Sequence, residues 1–146
     1  MKVSADRLIA FAAAMAMTLL SVVSVPAVAH AEAVMQIKIP FDFYVGSQSF
    51  PAGAYQMQIF SGYVKLSDGK GHSSFALTTS VPIRKTIGEG NGQLVFSRYE
   101  NYYFLSEVRR GGYTTAQGLT PSHLELQIAK SSGQKEQLAF STLTPR

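Results

Sequence analysis

The chain is 146 residues long, has a formal net charge of +4 and contains no cysteine. That length suits one domain of ordinary size, and the weak, scattered positive charge falls short of a nucleic-acid footprint. The lack of cysteine excludes a disulfide, a zinc–thiolate site and the attachment point of a thioether lipid anchor.

The chain opens with a leader pattern. Met1–Arg7 carries Lys2 and Arg7, and Leu8–Leu20 is a charge-free apolar run. Ser21, Ser24 and Pro26 break its helical tendency, and Ala29-His30-Ala31 places small residues around a larger one. Basic, apolar and A-x-A segments in that order predict a signal-peptide helix in residues 1–31, with a cut after Ala29 as the competing site. A retained anchor is the alternative, because Leu8–Ala29 is long enough to span a bilayer. The strongly apolar part is only 13 residues, and no basic cluster follows it. Those features favour cleavage and a periplasmic or extracellular product. The remaining domain, 32–146, keeps 11 basic against 8 acidic residues, a net of about +3.

The domain reads as strands. From Met35 to Val45, apolar Met35, Ile37, Ile39, Phe41, Phe43 and Val45 alternate with Gln36, Lys38, Pro40, Asp42 and Tyr44. Period two predicts a half-buried strand, with an edge or bend at Pro40. Gly46–Ser49 reads as a turn, and Pro51-Ala52-Gly53 as another. Tyr55–Ile59 and Tyr63–Ser67 alternate again around a Ser61-Gly62 turn, and Asp68-Gly69 signals a hairpin. Ser73–Thr79 is the next strand, with Phe75 and Leu77 expected inward and Val81 and Ile83 continuing that face past Pro82. Gly88–Gly92 is an open loop. Gln93–Arg98 and Tyr102–Val108 form a pair, followed by a turn at Arg109–Gly112.

One helix is expected late. Thr120 with Pro121 gives one N-terminal signal, Ser122-x-x-Glu125 is an alternative capping box, and Gly133 ends the helix. Leu138–Leu143 is a last strand or a tail. Together these elements predict a single mainly antiparallel all-β domain, a sandwich or small barrel with one short C-terminal helix. The expected core comprises Ile37, Ile39, Phe41, Phe43, Tyr55, Met57, Ile59, Val64, Leu66, Phe75, Leu77, Leu94, Phe96, Phe104 and Leu105.

No arrangement in the sequence carries chemistry well. His72 and His123 lie far apart with no thiolate beside them, so no metal is expected. Asp68-Gly69-Lys70-Gly71 has one carboxylate and places a lysine where a calcium ligand belongs. Ser67-x-x-Lys70 and Ser132-x-x-Lys135 match S-x-x-K but lack the S-D-N and K-T-G partners that give it meaning. The carboxylates are dispersed. Asp42 sits on the polar face of its strand, and Glu107 is placed to pair with Arg109. The Gly88-x-Gly90-x-Gly92 loop has no lysine and holds Glu89, which opposes phosphate. These readings point away from an enzyme and call for no cofactor. Only a buried, pKa-shifted carboxylate or histidine in a cleft would bring catalysis back.

Two surface features remain. Tyr99, Tyr102 and Tyr103 cluster near Phe104, suited either to cross-strand pairing or to contact with a partner. Arg84, Lys85, Arg109 and Arg110 form the densest basic pairs and make a modest cationic patch if they share one end of the sheet. The partners such features suit are envelope glycan, lipid headgroup, cell-wall polymer or envelope protein; nucleic acid is not expected, nor is a membrane-spanning mature form.

Ile39-Pro40-Phe41-Asp42-Phe43-x-Val45-Gly46, Phe50-Pro51-Ala52-Gly53-x-Tyr55 and Tyr102–Ser106 (Y-Y-F-L-S) resemble a group of uncharacterised small exported bacterial β-rich proteins. The resemblance implies an exported β-domain and brings no activity, ligand or catalytic residue. The expected role is a non-catalytic binding or structural module of the cell envelope; the alternative is a barrel carrying a small apolar ligand.

Overall fold

The computed structural model describes residues 33–143, so the leader reading lies outside the described residues. Ten strands and one helix follow in order: β1 (Ala33–Ile39), β2 (Phe43–Val45), β3 (Gln48–Phe50), β4 (Gly53–Phe60), β5 (Tyr63–Ser67), β6 (Ser73–Pro82), β7 (Asn91–Tyr99), β8 (Tyr102–Arg110), β9 (Thr115–Leu119), α1 (His123–Ser132) and β10 (Glu136–Leu143). The fold is all-β with one short helix, as the alternating patterns predict.

The strands form one mixed sheet in the order β3-β2-β8-β7-β10-β1-β4-β5-β6-β9. Its flanks also meet, because β9 pairs with β6 on one edge and with β8 on the other. One seam is thin: β1 and β10 share a single register pair, Gln36↔Leu143. All pairings are antiparallel except β2–β8, which is parallel at Tyr44↔Phe104.

The period-two run from Met35 is cut at Pro40, as its missing N–H requires. β1 ends at Ile39, and Phe43–Val45 folds back as a separate hairpin with β3. The turn there is only Gly46-Ser47, with Gly46 at φ 62°, and β3 begins sooner than expected. The two resembling motifs meet at this point. The Ala52 N–H donates to Asp42 Oδ1 at 2.8 Å, and the Tyr55 hydroxyl donates to the Pro51 carbonyl.

The core lies inside the curled sheet. Ile39, Phe43, Met57, Ile59, Val64, Leu66, Leu94, Phe96 and Val108 are almost or wholly buried. Phe43 packs edge-on against Tyr55 and Phe96, with ring centroids 5.2 and 5.6 Å away. Phe41 is half-buried and stacks on Tyr103 at 4.1 Å.

Two expected core residues are outside. Phe75 is 63 % exposed and Leu77 is 82 % exposed. Register explains it. Val64 and Leu66 point inward and pair with Ala76 and Ser74. Residues directly opposite share a face, so the inward places on β6 go to Ala76 and Ser74. Phe75 and Leu77 fall on the other face, opposite Lys65 and Tyr63.

The helix starts at the second of its two signals. Ser122 is the N-cap, its Oγ accepting from the Glu125 N–H at 3.1 Å. Gly133 ends it in the left-handed region, at φ 68°. The segment 136–143 is a full strand inserted between β7 and β1. Its partners lie far off in sequence, so no local pattern announces where it fits. β9 also carries little apolar alternation of its own.

Candidate functional site

The expected tyrosine and arginine features fall at opposite ends of one hairpin. Tyr99↔Tyr102 closes the β7–β8 hairpin and Gly92↔Arg110 lies at its open end. Eight residues of strand separate them, roughly 25 Å. They do not form one site.

At the closed end the tyrosines divide. Tyr99 is buried, Tyr103 is half-buried against Phe41, and Tyr102 is 42 % exposed. Tyr44 stacks on Phe104 at 5.0 Å and approaches Tyr102 at 6.3 Å. Most of the cluster is therefore cross-strand packing.

At the open end the segment that carries Arg84 and Lys85 runs beside the turn that follows Arg110. The Ile83 N–H donates to Thr114 O at 3.0 Å, and the Gly112 N–H donates to Ile87 O at 2.8 Å. These bonds hold the 83–90 loop against the 110–114 turn. Gly111 allows the contact: a Cβ there would lie 2.1 Å from the Gly88 carbonyl oxygen. Arg109 is engaged by Glu107 at 2.8 Å and by Gln93 at 3.2 Å, the pairing its spacing predicts. Arg110 lies 3.9 Å above the Tyr113 ring. The acidic Glu89 lies close to Gly112 in the same region.

The sequence did not single out Glu125, which is only 5 % exposed. β7 is buried on both faces: Leu94 and Phe96 belong to the core cluster, while Ser97 and Tyr99 lie on the side where Glu125 of α1 packs. Glu125 Oε1 accepts from the Tyr99 hydroxyl at 3.3 Å. Burial pushes the Glu125 pKa up, while the Tyr99 hydrogen bond and the Lys135 charge pull it partly back. Burial also raises the Tyr99 pKa, helped by the neighbouring carboxylate. The available signal was the capping box, which places Glu125 in the first helical turn, and a nearby tyrosine whose hydroxyl needs a buried partner.

A cavity of about 160 Å³ opens beside this pair, lined in part by Ser97, Ser106, Glu107, Glu125 and Lys135. Ser97 is fully buried, and its Oγ has no hydrogen-bond partner among the described residues. Ser106, the extra residue at the Val95/Phe96 bulge, donates to Val95 O at 2.9 Å. A shifted carboxylate in a cleft is the arrangement that would suit general acid chemistry. This cleft is below the roughly 300 Å³ of small-molecule sites, and Glu125 already faces a structural partner. Its geometry suits a polar latch holding α1 to the sheet.

A second feature is the outer face of β1, β4, β5 and β6. Phe60 and Tyr63 stack at 4.5 Å with ring planes 6° apart. Tyr63 lies beside Leu77, and Lys65 Nζ sits 5.6 Å over the Phe75 ring. Contiguous exposed apolar side chains of this size mark contact surfaces.

No family model, no curated protein and no solved structure matches the chain. Among the described residues, no helix is long and apolar enough to cross a membrane.

Proposed function

We propose that this protein is an exported, non-catalytic binding module of the cell envelope that works through the outside of its sheet. The carrying observation is the exposure of Phe75 and Leu77 at 63 % and 82 %, next to the stacked Phe60–Tyr63 pair. Leaving two large apolar side chains in water forgoes the burial free energy that the same residues would gain on the other face, roughly 1.5–3 kcal/mol each. A partner surface recovers it. The interior supports the same choice. Phe43, Met57, Ile59, Leu94, Phe96 and Val108 are at 0 % exposure, so the axis of the sheet is filled where an apolar ligand would sit.

The test is fractionation of cells expressing the full chain, with mass spectrometry of the exported product. The wild type is expected to lose its leader and to co-sediment with the envelope. Phe75→Ser/Leu77→Ser is expected to keep the same melting behaviour and move to the released fraction. Equal envelope association of the double variant, or a wild-type protein found uncleaved in the cytoplasm, overturns the reading.

A further inference from the structure

We infer that the outer face of β1, β4, β5 and β6 docks on an anionic lipid bilayer, with Phe75, Leu77, Phe60 and Tyr63 entering the interface and Lys38 and Lys65 meeting the headgroups. This rests on the envelope-module reading and names its partner.

The geometry decides against a glycan. Sugar stacking needs an open aromatic face. Phe60 and Tyr63 cover each other, nearly parallel at 4.5 Å, and Lys65 covers a face of Phe75. One face of each of these rings is thus already taken by a neighbour within the sheet. Such a surface suits a medium that accepts greasy side chains without directional contacts.

The charge pattern favours lipid over a generic apolar partner. The outward residues fall in cross-strand rows. Val34, Gln58, Lys65 and Phe75 make one, and Phe60, Tyr63 and Leu77 the next. Gln36 and Lys38 extend the face along β1. All four strands together contain Lys38 and Lys65 and not one aspartate or glutamate. Asp68, just after β5, lies at the Lys38 end of this face, where it lines a cleft with Gln36, Lys38 and Gln56 and pairs with His72 at 2.7 Å. The two rows that carry Phe60, Tyr63, Lys65, Phe75 and Leu77 hold no carboxylate, and their apolar bulk, amphipathic tyrosine and lysine complement a negative headgroup layer.

The chain contains no tryptophan, which gives a local probe. The full chain carrying Leu77→Trp is mixed with phosphatidylglycerol vesicles, phosphatidylcholine vesicles, and phosphatidylglycerol vesicles containing brominated lipid. A second protein carries Leu126→Trp on α1, half-exposed over β7 and four strands from β5 in either direction of the strand order. The indole in L77W is expected to shift to the blue and to be quenched by bromine with phosphatidylglycerol only. The indole in L126W is expected to stay aqueous. Adding Lys65→Gln to L77W should weaken vesicle binding about fivefold.

An aqueous indole in L77W, equal responses at both positions, or no effect of Lys65→Gln overturns the inference; vesicle binding with an aqueous indole in L77W would assign binding to the leader. A blue shift without vesicles that grows with protein concentration assigns the face to a second copy, and also overturns it. Failure here, with Phe75→Ser/Leu77→Ser still releasing the protein from the envelope, leaves the module reading standing with a protein partner.

Discussion

Replacing Phe43 and Leu77 separately by alanine asks whether the strand facing is right. By pattern alone the two are equivalent: apolar residues on the inward phase of their strands. Phe43 is at 0 % exposure and touches Phe50, Tyr55 and Phe96. Phe43→Ala loses the transfer free energy of a buried ring and leaves a cavity walled by three other rings, which together cost about 3–5 kcal/mol. Leu77 is 82 % exposed, so less than a fifth of its surface is withheld from water. Leu77→Ala therefore costs about 0.4 kcal/mol at most. With a urea m-value of about 1–3 kcal/mol/M, the first change lowers the unfolding midpoint by at least ~1 M and the second barely moves it. Equilibrium urea melts followed by circular dichroism measure both. A Phe43→Ala loss below 1 kcal/mol, or a Leu77→Ala loss above about 1.5 kcal/mol, would refute the assigned register of β2 or β6.

The Glu125 latch gives a signed pH dependence. Its folded pKa is raised above the ordinary value of 4.5, so its contribution is fully present below that value and is lost as the pH rises through the higher folded one. Stability plotted against pH is expected to fall across that interval in the wild type and to flatten in Glu125→Gln, which keeps an acceptor for Tyr99; identical slopes would remove the latch. Ser97→Ala deletes a buried hydroxyl with no partner among the described residues, so it should be neutral or stabilising by up to about 1 kcal/mol. A loss above 1 kcal/mol in the same melts would show that the hydroxyl is engaged. Gly111→Ala drives a methyl into the Gly88 and Asn91 carbonyls, at 2.1 and 2.5 Å, and is expected to cost about 1–3 kcal/mol. Faster amide exchange at Gly111 and Gly112 should accompany it, and unchanged protection there would contradict the close contact of loop and turn.

Much of the architecture was present in local pattern. Alternation located β1, β4, β5, β7 and β8, Pro40 marked the break, Gly133 marked the helix end, and Ser122 was one of two starts the pattern allowed, the other being Thr120 with Pro121. Each of these depends on a few neighbouring residues: a period, a missing N–H, a capping hydroxyl, a left-handed glycine. The spacing of Glu107 and Arg109 was equally local, and their ion pair forms at 2.8 Å. The site readings were less complete. The sequence could group Tyr99 with Tyr102 and Arg84 with Arg110, but not show that about 25 Å of hairpin lies between the groups.

Tertiary structure alone decided three things. It turned Phe75 and Leu77 outward, because their phase on β6 is set by pairing with Val64 and Leu66 rather than by their own hydrophobicity. It placed β10 between β7 and β1, a choice made by contacts distant along the chain. It buried Glu125 over Tyr99, against the tendency of a first-turn carboxylate to face water. A single chain's periodicity says which residues share a face. Only the neighbouring strands say which of the two faces meets the core.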